Sequence, residues 1–344
     1  MVKKAVIMNG DGIGPEVVDS MINILKECNL QSELIHCDAG SEQWEQNGCK
    51  EPTYIPESTM KSLEDADACF KGPTTTIPKP DAPSSVAVSL RQKFELFANI
   101  RPIKTFKRLT PNLDLDFVCF REATEGLYSG VEVELNDDAA IAIRQITRKG
   151  CRRFMASAMN WAKQYEINKI VAITKRNILK KTDGLFFDEI QNAIKNYSEM
   201  RLEEIYIDNM AQQMVINPQQ FNKSVLVSTN LFMDIISELA SGIVGSIGLV
   251  YSSNMGESYA MFEAAHGSAP SFKGQNKVNP TATVLAGAWM AEYLGELDIK
   301  NAIFSATHQV INDGKYVTFD IGGDATTTQM SEQIAVIAKN NLRK

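Results

Sequence analysis

Histidine is scarce in this 344-residue chain, with only His36, His266 and His308 present. That excludes a histidine-rich metal centre, so any resident metal is expected to be a hard cation held by oxygen. The six cysteines (Cys28, Cys37, Cys49, Cys69, Cys119, Cys151) form no C-x-x-C pair. A zinc ribbon or disulfide framework is thereby excluded. Several lie in apolar, strand-like runs such as DACFKG and DFVCFRE, which predicts buried free thiols in a reducing cytoplasm. No apolar run approaches the ~20 residues of a membrane span. Basic excess is absent too. With 35 Lys+Arg against 42 Asp+Glu and a net charge of −7, the chain carries no electrostatic footprint for nucleic acid. The opening MVKKAVIMNG runs straight into a short apolar strand, without the longer apolar region and cleavage site of a signal peptide. Also missing is the three-glycine dinucleotide fingerprint. Counted from Gly10 its third glycine falls on Pro15, and counted from Gly12 on Val17, so a Rossmann reading of NGDGIGPE is rejected.

What remains is a globular composition, 44% apolar and 22% charged, in a chain longer than one core usually supports. Two domains are expected. KAVIMN, SELIHCDAG and DACFKGP read as strands. PEVVDSMINILKEC, with Pro15 in its first turn, and PESTMKSLEDA read as helices between them. Such alternation implies an α/β fold with largely parallel, doubly wound sheets. From Phe97 the texture changes, and SGVEVELNDDAAIAIRQIT alternates apolar and polar residues about Asn136-Asp137-Asp138. It predicts a hairpin whose apolar face needs a partner, hence a dimer-forming arm at about 129–147. Helices are expected at 153–165 and 184–195, with strands KIVAIT and LEEIYID after each in turn. TATVLAGAWMAEYL reads as a helix packed on both sides. The expected division gives residues 1–97 and 247–344 to a larger domain and 98–246 to a smaller one.

The chemistry concentrates in a few stretches. KGPTTTIP places Lys71 and hydroxyls just past a strand end, where open parallel sheets bind ligands, although Thr and Pro also merely shape turns. Arg91, Arg101 and Arg121 each stand at or near the end of an apolar element. Arginine's planar fork binds carboxylates in bidentate fashion, so the trio with Lys71 suits a polycarboxylate. Tyr128 and Lys175 are candidate proton-transfer groups whose pKa neighbouring arginines can lower toward working pH. In NLFMDIISEL, Asp234 and Glu238 stand four apart on one helical face, which by itself is a wet surface. With Asp208, at the end of LEEIYID, they make three carboxylates near successive element ends, a composition that fits Mg²⁺ or Mn²⁺. Finally, the polar loop FEAAHGSAPSFKGQNKVNPTA gathers Glu263, His266, glycines and Asn279 ahead of a helix.

These stretches, in this order, resemble the β-decarboxylating dehydrogenases that act on isocitrate, 3-isopropylmalate and homoisocitrate. The likeness spans essentially the whole chain, through GDGIGPE, LR…RP…RE.TEGLYSG, DNMAQQMV.NP.QF, TNLF.DI.S.L and HGSAP…NPTAT. It implies the two-domain isopropylmalate dehydrogenase fold and a homodimer whose active sites are shared between subunits. It makes Arg91, Arg101 and Arg121 the clamp on the substrate carboxylates and Tyr128 the acid that protonates the enolate after decarboxylation. Lys175 becomes the group that handles the hydroxyl proton, reaching in from the second subunit. Asp208 (again from the partner), Asp234 and Glu238 become the ligands of Mg²⁺ or Mn²⁺. Thr75 and Thr76 match the nicotinamide side. Glu263, His266, Gly267, Ser268, Ala269, Pro270, Ser271, Phe272, Asn279 and Asp320 match the rest of the coenzyme site.

Within the family, KGPTTT and Ser85 resemble the isocitrate branch, where they meet the γ-carboxylate; that implies the tricarboxylic acid cycle reaction. Ala87 and Ala123 replace asparagines usual in that branch, Met233 replaces a glycine and Glu238 an aspartate. 3-Isopropylmalate, homoisocitrate or a tartrate- or malate-type acid are the rival substrates, and a non-catalytic regulatory paralogue is a further rival. Ser271-Phe272 and Gly322-Gly323 leave Lys273 as the one evident cation for a 2′-phosphate, which points to NAD.

Overall fold

The computed structural model describes residues 2–49, 51–79 and 82–343. Its strands are β1 (Lys4–Met8), β2 (Glu33–Cys37), β3 (Ala68–Lys71), β4 (Ala98–Lys104), β5 (Asp116–Glu122), β6 (Glu132–Asn136), β7 (Ala139–Ala142), β8 (Lys169–Thr174), β9 (Arg201–Tyr206), β10 (Val225–Ser228), β11 (Tyr251–Met255) and β12 (Ala260–Ala264). The helices are α1 (Gly14–Glu27), α2 (Ser41–Gln46), α3 (Glu57–Glu64), α4 (Val86–Lys93), α5 (Arg148–Gln164), α6 (Thr182–Ile194), α7 (Ile207–Ile216), α8 (Asn230–Val244), α9 (Thr281–Tyr293), α10 (Leu297–Asp313) and α11 (Thr327–Leu342).

Ten strands form one sheet in the order β2-β1-β3-β12-β11-β4-β5-β10-β8-β9. Each outer wing is parallel. The middle is not, because β11 runs antiparallel to both β12 and β4, and β4 antiparallel to β5. The first wing takes strands from both ends of the chain, whereas the second comes from the middle. The interleaved halves therefore share a single sheet rather than two separate ones. Strands buried on both faces, such as IVAIT in β8 and VLVS in β10, read as unbroken apolar runs because helices cover each side.

Local chemistry accounts for the boundaries that the sequence reading misplaced. Helix α5 begins at Arg148 rather than 153, since the Thr147 side chain caps it by accepting from the Gly150 amide. Helix α6 begins at Thr182 and ends at Ile194. Asp208 does not end a strand. Strand β9 stops at Tyr206 and Asp208 lies in the first turn of α7, where a carboxylate complements the helix dipole. Of the cysteines, Cys28, Cys69, Cys119 and Cys151 are buried and all six are free, but Cys49 is exposed.

Helix α9 is buried from Thr281 through Ala291, as its all-round apolar pattern implies. Among the described residues the hairpin β6–β7 pairs only with itself, and it exposes Val131, Val133, Leu135, Ile141 and Ile143. Met233, unexplained by sequence, is fully buried on α8, where it fills the core beneath the acids.

Candidate active site

Strand β5 ends in Arg121, α8 follows β10, and the two elements bring opposite charges together. Arg121 donates through Nε to Asn230 at 2.8 Å and through Nη1 to Asp234. Arg101 on β4 bonds Asn99, Ser237 at 3.1 Å and Glu238 at 2.5 Å. Arg91, in the last turn of α4, donates to Asn254 at 2.8 Å and reaches Glu263 at 3.4 Å. All three arginines are buried. Burial, and then the neighbouring charges of Arg91 and Arg101, press the Arg121 guanidinium down to about 10 despite the opposing pull of Asp234. Three crowded, desolvated cations gain by accepting anions.

Tyr128 sits on a short 3-10 turn after β5 and donates its hydroxyl to the second oxygen of Asp234. The Arg121 guanidinium lies 4.9 Å from its ring centre. The expectation of a lowered tyrosine pKa is overturned here. Burial and the Asp234 bond raise it, outweighing Arg121, so the phenol keeps its proton and is suited to donate it. The turn is held by a carboxylate that sequence reasoning missed. Glu122, 2% exposed, accepts from the amides of Thr124 and Glu125 and from the Thr124 hydroxyl. A charged residue closing an otherwise buried strand was its only signal. Ala123 is buried beside it.

Lys71 lies beneath this cluster rather than open to it. It is 5% exposed, 3.0 Å from Glu263, and donates to the Gly72 carbonyl. Glu263 also accepts from Asn254 at 2.7 Å. Burial works against its charge, yet Lys71, Arg91 and these bonds prevail and hold the carboxyl down at about 2. Glu263 therefore joins the arginine network and not the loop with which it was grouped. Ser85 caps α4 by accepting from the Val88 amide at 3.2 Å, which leaves its hydroxyl free to donate.

Lys175 and Asp208 are brought together, 2.7 Å apart, but away from the other acids. No ion pair or hydrogen bond among the described residues joins either to Asp234, Glu238 or the arginines. Nor do three potential ligands converge anywhere among the described residues. Asp234 and Glu238 alone are two carboxylates on one helix face, side chains 28% and 45% exposed. Their donor chemistry fits an oxygen-ligated divalent cation with open positions.

On the other side of Gly12, two loops meet. The Thr75 hydroxyl lies 2.6 Å from that of Ser268, and the Thr75 amide donates to buried Asp11 at 2.7 Å. Asp11 also accepts from the amides of Ser41 and Glu42, so it knots three loops together, a role no local pattern announces. Gly12 has φ +59°, and a Cβ there would stand 2.1 Å from the Ser268 carbonyl oxygen. The glycines of GDGIG thus serve loop-to-loop contact. Thr76 is exposed.

Beyond Ser268 opens a cavity of about 390 Å³ lined by Ile13, His266, Gly267, Ala269, Phe272, Asn279, Phe319 and Asp320. Phe272 stacks on Phe319 with ring centres 5.6 Å apart. Asp320 accepts from Ser246, Thr318 and Asn279. His266 Nε2 is buried without a partner, and burial lowers the pKa of its ring, so a neutral imidazole awaits a bond. An apolar slot with one orphaned nitrogen and an anchored carboxylate fits an adenosine-type group. Pro270 and Ser271 are exposed at its rim.

Residues 4–334 match the family described as isocitrate/isopropylmalate dehydrogenase. The chain belongs to that family. Its members are β-decarboxylating hydroxy-acid dehydrogenases. The 3-isopropylmalate/3-methylmalate dehydrogenase of Methanocaldococcus jannaschii is 38% identical over 96% of this chain and 98% of its own. The isocitrate/homoisocitrate dehydrogenase of Thermus thermophilus is 36% identical over 99% of this chain and 100% of its own. The crystal structure of isocitrate dehydrogenase from Methylococcus capsulatus superposes with a TM-score of 0.92, at 38% identity and full coverage of both chains. Among the described residues no helix is long and apolar enough to cross a membrane.

Proposed function

We propose that the chain oxidatively decarboxylates isocitrate to 2-oxoglutarate and CO₂ with reduction of NAD. The observation that carries this reading is the meeting of three buried arginines, Tyr128 and the paired acids of α8. Arg91, Arg101 and Arg121 bind the substrate's carboxylates, trading their present bonds to Glu263, Glu238 and Asp234 for anionic oxygens of the ligand. Bound Mg²⁺ or Mn²⁺, held by Asp234, Glu238 and a partner subunit's acid, would supply Lewis-acid polarisation of the hydroxyl oxygen, and NAD would accept hydride. Lys175, contributed across a dimer interface with Asp208, takes up the hydroxyl proton. Tyr128, already protonated, delivers a proton to the carbon that loses CO₂. Ser85 donates to the third carboxylate. NAD is preferred because Lys273, the cation nearest the coenzyme loop in sequence, is bound by Glu42 at 2.6 Å. Arg108 reaches the Gly314–Gly322 region from far along the chain, but it is engaged with the Ile321 carbonyl.

A second reading, 3-isopropylmalate, is favoured by the half-buried Ala87 and Val88 on the first turns of α4 and by the relative named a 3-isopropylmalate/3-methylmalate dehydrogenase. The deciding experiment is coenzyme reduction with a panel of 2-hydroxy di- and tricarboxylates, with NAD or NADP and with or without Mg²⁺. Activity on isopropylmalate but not isocitrate would overturn the first reading, and metal-independent turnover would overturn the role of the acids.

Tyr128→Phe should lower kcat by roughly 10²-fold or more, since a positioned proton donor contributes about that much. A pre-steady-state burst of reduced coenzyme should survive, because hydride transfer precedes the proton step; loss of the burst would place Tyr128 earlier. The division into a larger domain of residues 1–97 and 247–344 and a smaller one of 98–246 is proposed on the two sheet wings. The exposed apolar face of β6–β7 is proposed as the dimer arm. Placing aspartates at the facing pair Val133 and Ile141 should yield a folded monomer in sedimentation with no activity. A fully active monomer would refute the shared site.

A further inference from the structure

Behind the seam between β4 and β11 lies a second cavity, of about 300 Å³, on the face of the sheet turned away from the arginines. Strand alternation sets this division. On β4, Asn99 and Arg101 bond to each other on the active-site face, while Pro102 and Lys104 line the cavity. On β11, Asn254 bonds Arg91, while Tyr251 lines the cavity.

The walls are aromatic. Trp161 and Trp289 stand with ring centres 5.5 Å apart, Tyr251 meets Trp289 at 5.8 Å, and Phe304 meets Tyr251 at 5.5 Å, all edge to face. Two of the chain's three tryptophans are thus spent on a cavity the reaction does not use. Its charges are matched except one. Lys223 pairs with Asp116, and Lys300 lies 3.4 Å from Glu292. Lys104 makes no ion pair among the described residues. It faces His308, whose ring packs on Phe106 at 4.7 Å and whose pKa is lowered by burial and then by the Lys104 charge. One unmatched ammonium balances a single negative charge, which suits a monocarboxylate better than a phosphate carrying nearly two. At ~30 Å³ per water, the cavity holds roughly ten waters, the room for a one- or two-ring aromatic with a short acid arm.

We propose that this cavity binds an aromatic monocarboxylate, its ring among Trp161, Tyr251, Trp289 and Phe304 and its carboxylate on Lys104. The ligand would sit one strand's thickness behind Arg101. This inference stands apart from the choice of hydroxy acid, since none of its residues belongs to the proposed catalytic set.

The test is an NMR titration of the full-length protein, labelled at its three histidines, with indole-3-acetate and with uncharged indole-3-ethanol. The His308 resonance should shift and saturate with indole-3-acetate, and its pKa should rise as the carboxylate neutralises Lys104. Indole-3-ethanol should bind about tenfold more weakly, and Lys104→Met, a change at an exposed position, should lose the same factor for the acid. Equal binding of the two indoles, undiminished binding to Lys104→Met, shifts confined to His266, or no shift at millimolar ligand would each overturn the proposal.

Discussion

Arg121→Met should reduce kcat/KM by roughly 10³- to 10⁴-fold, the scale of losing two charge-assisted hydrogen bonds together with a buried positive charge. The substitution keeps the length and apolar stem of the side chain, so the end of β5 still packs. It leaves Asp234 bonded only by Tyr128 on this side and removes the most crowded of the three guanidinium groups. Arg121→Lys should recover little, because a point charge cannot span Asn230 and Asp234 at once. Steady-state kinetics with a thermal melt alongside decides the matter: an active variant, or one inactive only because it unfolds, would remove Arg121 from the site.

The second large effect concerns stability. Glu263→Gln should cost about 3–5 kcal/mol, because Lys71 and Arg91 would be left as buried charges without their counter-ion. The melting midpoint should fall by roughly 5–15 °C on that scale. The wild-type contribution has a definite pH dependence. Glu263 is held at about 2 against an ordinary value of 4.5, so its stabilisation is complete above about 4.5 and fades as pH drops toward 2. The Gln variant should lack that component of acid sensitivity. Melts at neutral pH and near pH 3 check both statements, and an unchanged neutral midpoint would mean the network is not held by charge.

How much of this was readable from the residues depends on whether the information was local. Helix α1 declared itself through periodicity, helix α9 and strands β1 and β8 through unbroken apolar runs, and the β6–β7 hairpin through alternation about Asn136-Asp137-Asp138. The arginines stood out as charges closing apolar runs, Tyr128 by its place soon after Arg121 and the acids of α8 by their i, i+4 spacing, and the structure brings them together. What escaped was non-local. Nothing near Glu263 in sequence announces Lys71, 192 positions earlier, and nothing near Asp11 announces the three amides it holds. The joining of both halves through β11 and β4 also lies outside any window, since it is a pairing of segments some 150 residues apart. The Tyr128 pKa went the other way because charge alone was weighed, while burial and the Asp234 bond were invisible.

The splitting of the first wing has a consequence for synthesis. Strand β3 emerges early, yet its neighbour β12 begins only at Ala260. At about 5–20 residues per second, the edge of β3 waits roughly 10–40 s for its partner on the ribosome. During that interval β5, β8, β9 and β10 have all been made and can assemble among themselves. The nascent chain therefore carries an unpaired parallel edge made of ACFK beside a largely complete second wing. Keeping that edge from pairing with other strands is a demand the topology alone places on the nascent chain.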